Sequence, residues 1–195
     1  FSASVSPTGQ PAGLFEALSR VDLSAYPDPS SLELKEVLSK YLSGTHDQTI
    51  TPAEILIGNG STELIHLIAR SELFTRTTDS TTAVMIFTPT YSEYKGACAL
   101  MGARIYEFCA DMNNGLKWDI SKACAQIRNV SGLKLVFLCN PNNPTGIYIG
   151  PELVKEVASA CVSANALLVV DEAYLNFVDA PWDSLNLLSF GNIVL

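Results

Sequence analysis

Four short stretches put polar side chains where chemistry could use them. In Ile57-Gly-Asn-Gly-Ser-Thr-Glu-Leu-Ile65 two glycines permit a tight turn, and Ser61 and Thr62 open a helix. Free backbone N–H groups and the positive helix end suit a phosphate there, although an ordinary capped turn fits the same residues. The run Asn140-Pro-Asn-Asn-Pro-Thr-Gly146 follows the most apolar segment of the chain. Prolines and asparagines make a rigid loop, and this many together suggest side-chain amides held in place for a ligand. In Val169-Val-Asp-Glu-Ala-Tyr174 an acid stands directly after an apolar run. Burying it unpaired is costly, so Asp171 should meet a positive partner, in a salt bridge or at a protonated ring nitrogen, or else cap a helix. Finally, Thr88-Pro-Thr-Tyr-Ser-Glu-Tyr94 sets Tyr91 at a helix start, as a core tyrosine or as an aromatic face for a planar ligand.

The glycine turn lacks the third glycine of a dinucleotide fingerprint, because position 63 is Glu, and the next apolar run ends Phe87-Thr88-Pro89 with no acid for a ribose. No Gly-Lys-Ser/Thr P-loop occurs either. A nucleotide-dependent oxidoreductase is therefore disfavoured.

Alternating elements must position these residues. Apolar runs at 55–59, 83–89, 103–108, 133–141, 166–174 and 192–195 read as strands, and helical patterns cover 62–74, 91–102, 119–129 and 151–165. Near-continuous apolar strands separated by helices predict a three-layer α/β fold, a mostly parallel sheet covered on both faces. Asn59, Thr88, Asn140 and Asp171 then fall just past strand C-termini, the edge where open parallel sheets bind ligands. Residues 1–45 read as an N-terminal arm with helices over 13–20 and 31–43, the second stopped by Gly44, and residues 46–195 as the main domain.

Bulk properties agree with a packed domain. Hydrophobic residues make up 48% and charged ones 16%, which supports a large core. A net charge of -8 argues against a nucleic-acid partner. No apolar stretch reaches a membrane span and no signal peptide is visible, so the expectation is a cytoplasmic protein. The five cysteines, at 98, 109, 124, 139 and 161, form no CxxC or Cys/His metal cluster with His46 or His66 and read as buried core residues.

These four motifs, in this order, resemble the fold-type I pyridoxal-phosphate enzymes of aminotransferase class I/II. Within them the chain looks most like the branch of histidinol-phosphate aminotransferase and threonine-phosphate decarboxylase; its arm, its second helix and GNGSTELI lean towards the decarboxylase. The resemblance implies the large domain of a pyridoxal-phosphate-dependent transferase with pyridoxal 5'-phosphate as cofactor. Gly60, Ser61 and Thr62 would hold the phosphate, and Tyr91 would stack on the pyridine ring. Asn143 and Tyr174 would bond the phenolic oxygen, and Asp171 would keep the ring nitrogen protonated. Asp171 and Tyr91 are thus the implied catalytic residues. Tyr26 would reach the cofactor phosphate of a neighbouring subunit, which implies a homodimer. Ser4 and Ser6 stand where decarboxylases of this branch usually carry asparagines, so Ser6, with Asn143, is an implied substrate contact.

The resemblance also expects a lysine that anchors the cofactor covalently, in an S-x-x-K stretch a few residues past the strand at 192–195. Every lysine of the chain, from Lys35 to Lys155, precedes that strand. The expectation is an incomplete large domain without the small C-terminal domain and its carboxylate-binding arginine. By itself it should retain cofactor weakly and turn over nothing. The whole enzyme would act on an amino acid or amino phosphate, as a transaminase or as the L-threonine-O-3-phosphate decarboxylase of cobamide biosynthesis. A non-catalytic domain that keeps the cofactor-shaped edge only for binding is the reading of another class.

Overall fold

The structure, a computed structural model, describes residues 9–22, 24, 26–45, 48–74 and 82–195. Ser4, Ser6 and His46 lie outside the described residues. Helices α1 (Leu14–Ser19) and α2 (Leu32–Thr45) form the arm. Then come α3 (Gly60–Leu73), β1 (Ala83–Thr88), α4 (Glu93–Leu100), β2 (Arg104–Cys109) and α5 (Ile120–Asn129). The chain finishes with β3 (Leu133–Cys139), α6 (Pro151–Ser163), β4 (Leu167–Asp171) and β5 (Ile193–Val194).

All five strands are parallel, in the order β2-β1-β3-β4-β5. The pleat sends successive side chains to opposite faces, and each face has its own core. Met85, Phe87, Val136, Leu138, Leu168 and Val170 point to the side packed by α5 and α6, with Ile127, Val157 and Cys161 among the contacts. Val84, Ile86, Leu135, Phe137 and Val169 point to the side packed by α3 and α4, where they meet Ile65, Ala69, Leu73, Tyr94 and Ala97. The predicted three-layer α/β architecture is what the chain forms. Each fully buried Leu, Ile, Val or Phe contributes about 1.5–3 kcal/mol, so this double core dominates the stability.

Local sequence explains the helix boundaries. Asp119 accepts from the Lys122 amide and caps α5, and Pro151 occupies the first turn of α6, where no amide is needed. Among the described residues no helix is long and apolar enough to cross a membrane.

Three expectations change. Residues 55–59 form no strand; Ile55 is extended, but none of the five strands runs beside this segment. Alternating apolar residues predict an extended backbone, and a strand also needs a neighbour to bond. The helix after it, α3, still docks through Ile65, Ala69 and Leu73. Helix α2 runs through Gly44 to Thr45, because Gly44 is tolerated near a helix end as well as beyond it. Four cysteines are buried as expected, whereas Cys109, at the end of the edge strand β2, is exposed.

Candidate active site at the strand C-termini

The sheet edge gathers three of the four motifs, because β1, β3 and β4 are neighbours and end together. Asp171 is the last residue of β4 and pairs in register with Cys139, the last of β3. The Asn140 amide donates to the Asp171 carbonyl at 2.9 Å, which ties the asparagine loop to the acid. The asparagine loop then reaches β1: Asn142 Nδ2 donates to the Pro89 carbonyl at 2.9 Å and to Thr145 Oγ1 at 2.8 Å. Asn140 is clamped to Ile149, its Nδ2 donating to the carbonyl at 3.1 Å and its Oδ1 accepting from the amide at 2.8 Å. Two of the three asparagines therefore spend their amides holding the loop's shape. Asn143 remains, half-buried, and with Tyr174 lines a cleft of about 340 Å³.

Tyr91 joins the fourth motif to this edge. Its hydroxyl shares a hydrogen bond of 3.1 Å with Thr62 Oγ1 at the start of α3. Its ring meets Tyr94 edge-on, with centroids 5.8 Å apart. Tyr94 is 1% exposed and lies flat on Phe137 at 4.8 Å. Its hydroxyl donates to Asp171 Oδ2 at 2.7 Å. A continuous path of contacts thus runs from the α3 N-terminus through two tyrosines to the acid. A second cleft, about 530 Å³, flanks Tyr91 on the side of Lys95 and Glu107.

The turn before α3 is built for close approach. Gly60 sits at φ 78°, a left-handed conformation that favours glycine. At Gly58 a Cβ would come within 2.8 Å of Leu64 Cδ2. Asn59 makes no side-chain cap, so the amides of Ser61 and Thr62 face outward with no acceptor inside the helix. Glu63 folds back and accepts from the Asn59 backbone amide and, at 3.0 Å, from its side chain.

Asp171 differs from expectation in its partners. They are two neutral donors, the Tyr94 hydroxyl and the Ala173 amide, the latter 3.0 Å from Oδ1. Among the described residues it forms no salt bridge. Burial, and then the neighbouring Asp171 charge, push the Tyr94 phenol well above the ordinary tyrosine range, so it stays a donor. The adjacent Glu172 is pushed up to about 7, chiefly by burial; Ser184 donates to its Oε2 at 2.9 Å, and its Oε1 is buried without a partner.

Of the residues singled out from sequence, Thr62, Tyr91 and Asp171 are joined by the contact path, and Asn143 and Tyr174 share the cleft. Gly60 and Ser61 lie at the α3 start beside Thr62. Tyr26 is fully exposed. Sequence reasoning missed Tyr94 and Asn142. The signal for Tyr94 was its place three residues after Tyr91, inside the helical pattern read over 91–102.

The features fit a phosphorylated aromatic cofactor. The outward amides suit a phosphate, Asp171 has only neutral partners, and the buried Asn142 Oδ1 lacks a donor. Residues 8–190 match the family model of aminotransferase class I and II, and the chain belongs to that family. It is 32% identical over 157 residues to a histidinol-phosphate aminotransferase of Ruminiclostridium cellulolyticum, an alignment covering 80% of this chain and 40% of that protein. It is 34% identical over 180 residues to the threonine-phosphate decarboxylase of Salmonella typhimurium, covering 91% of this chain and 45% of that one. The fold matches that of cystalysin from Treponema denticola, whose crystal structure contains pyridoxal 5'-phosphate, with a TM-score of 0.70 over 88% of this chain and 42% of that one, at 20% identity. The chain spans less than half the length of these relatives.

Proposed function

We propose that this chain supplies most of the cofactor-binding domain of a pyridoxal 5'-phosphate-dependent enzyme that acts on an amino acid or amino phosphate. The observation that carries the reading is the contact path from Thr62 through Tyr91 and Tyr94 to Asp171. It joins an anion-favouring helix end to a carboxylate across an aromatic face, and a phosphorylated pyridine requires all three. When bound, the cofactor supplies an electron sink for negative charge at the substrate α-carbon.

The chain's own residues do the rest. Gly60, Ser61 and Thr62 hold the phosphate, Ser61 and Thr62 through their outward amides, helped by the helix dipole. Tyr91 covers one ring face. Asp171 holds a proton on the ring nitrogen, and Asn143 and Tyr174 donate to the phenolic oxygen and set the ring's rotation. Asn143 and Ser6 are the substrate contacts. Tyr26, exposed in one protomer, reaches the phosphate of its partner, so the active unit is a homodimer. Five free cysteines favour a reducing cytoplasm, and the acidic surface disfavours nucleic acid.

Transamination is the first reading. The similarity to a threonine-phosphate decarboxylase over 91% of the chain supports a second, in which the α-carbon loses CO2 and not a proton. The test uses the full-length gene product. It should bind pyridoxal phosphate with visible absorption, and borohydride should fix the cofactor on a lysine. Asp171→Asn should weaken binding. Deamination of histidinol phosphate with 2-oxoglutarate, or CO2 release from threonine phosphate, separates the two readings. A colourless protein that takes up no cofactor refutes both. Cofactor uptake without turnover of any amine leaves the non-catalytic binding domain.

A further inference from the structure

Tyr94 is buried in the contact path, yet the functional reading gives it no contact with the cofactor. It is among the largest fully buried side chains, and burying a phenol demands a hydrogen-bond partner. Its hydroxyl goes to Asp171 Oδ2 at 2.7 Å. The ring cannot turn away. Phe137 lies parallel beneath it at 4.8 Å, with 14° between the planes, and Tyr91 closes it edge-on at 85°. The Ala173 amide holds the other carboxylate oxygen at 3.0 Å. One donor from helix α4 and one from the backbone therefore pin both oxygens of an acid that β4 delivers to the edge. Neither donor carries charge, so the carboxylate is oriented without being neutralised. A lysine or arginine in the place of Tyr94 would neutralise it.

We propose that Tyr94 is a positioning residue for Asp171: its neutral, immobile hydroxyl aims the carboxylate at a cationic ring nitrogen and raises the protein's preference for a cofactor protonated there. This rests on the proposed cofactor reading and adds a residue that acts only through Asp171.

The test compares two ligands in the full-length protein freed of cofactor. One is pyridoxal phosphate; the other is its deaza analogue, in which carbon replaces the ring nitrogen and no proton can be held. Binding is measured by equilibrium dialysis, and the ratio of the two dissociation constants reports the Asp171 interaction alone. Wild type should prefer pyridoxal phosphate, and Asp171→Asn should abolish the preference. Tyr94→Phe keeps the ring stack and should cut the preference about tenfold, as expected for losing a hydrogen bond to a charged group. Affinity for the analogue should stay unchanged. A purely structural role for Tyr94 would weaken both ligands equally and leave the ratio intact, which overturns the proposal. A wild type that binds both ligands equally overturns the Asp171 reading itself. If Tyr94→Phe does not fold, 3-fluorotyrosine at position 94 keeps the packing. Its 19F resonance should then move with pyridoxal phosphate and stay still with the analogue; equal movement with both is the contrary result.

Discussion

Helices α2 and α5 carry apolar residues at similar spacing and meet opposite fates. In α5, Ile120, Ala123, Cys124 and Ile127 are buried against the sheet and α6. In α2 no residue is buried, and Leu34, Val37 and Tyr41 are 47%, 57% and 63% exposed. What ties α2 down is polar and local: Ser39 Oγ donates to the Ile50 carbonyl at 2.6 Å, and Ser43 Oγ accepts from the Ile50 amide at 2.9 Å. An apolar stripe specifies a face to be covered; only topology decides whether something covers it. From Thr82 onward the parallel strands provide that cover, and the Asp171 end of the candidate site belongs to this half. The arm has the stripe without the cover.

The contrast can be tested first where the core is deepest. Phe137→Ala removes the ring beneath Tyr94 and should cost about 3–5 kcal/mol, read as a lower urea midpoint with little change in slope. A loss under 1 kcal/mol would mean that the two faces are not jointly packed. A smaller effect comes from Glu172. Its folded value near 7 lies above the ordinary 4.5, so the folded protein binds the proton more tightly than the unfolded chain. Its contribution is complete below about pH 4.5, falls as pH rises to 7 and is flat beyond, a decline on the order of 3 kcal/mol. Glu172→Gln should remove that slope from the pH dependence of chemical denaturation, and an unchanged slope would locate the titration elsewhere.

Next, Asn142→Ala deletes the amide that joins the asparagine loop to Pro89 and should cost about 1–2 kcal/mol. It should also loosen the loop, seen as faster hydrogen exchange at the Gly146 amide, which bonds the Asn142 carbonyl at 2.7 Å. The smallest effect belongs to the arm. Val37→Ser should change stability by no more than about 0.5 kcal/mol. A loss of 2 kcal/mol there would show that the arm's stripe is covered in solution.

Much of this arrangement was legible in the sequence, for reasons that differ by residue. Val84 to Phe87 and Leu135 to Leu138 alternate between two buried faces, so every position is apolar and the strands read clearly. Asp171 stood out because an acid after four apolar residues has few explanations. The segment at Ile55 misled, since extended propensity is local and pairing is not. Asn142 was hidden among its neighbours: in a run of Asn and Pro, sequence does not say which amide turns inward. Tyr94 was hidden by its type, because a tyrosine in a helix against an apolar sheet is ordinarily core, and here it is core and a hydrogen-bond donor together.

Tyr91 and Tyr94 are three residues apart, at the point where the loop after β1 becomes α4. Each residue added to a helix rotates the next side chain by about 100° around the axis. Adding or deleting one residue between the two tyrosines would therefore leave each in place chemically and swing one out of reach, breaking the link to Thr62 or the link to Asp171. Most strand-to-helix loops absorb such changes. This one carries the link to Thr62 at one end and the link to Asp171 at the other, so its length is part of the support of the acid.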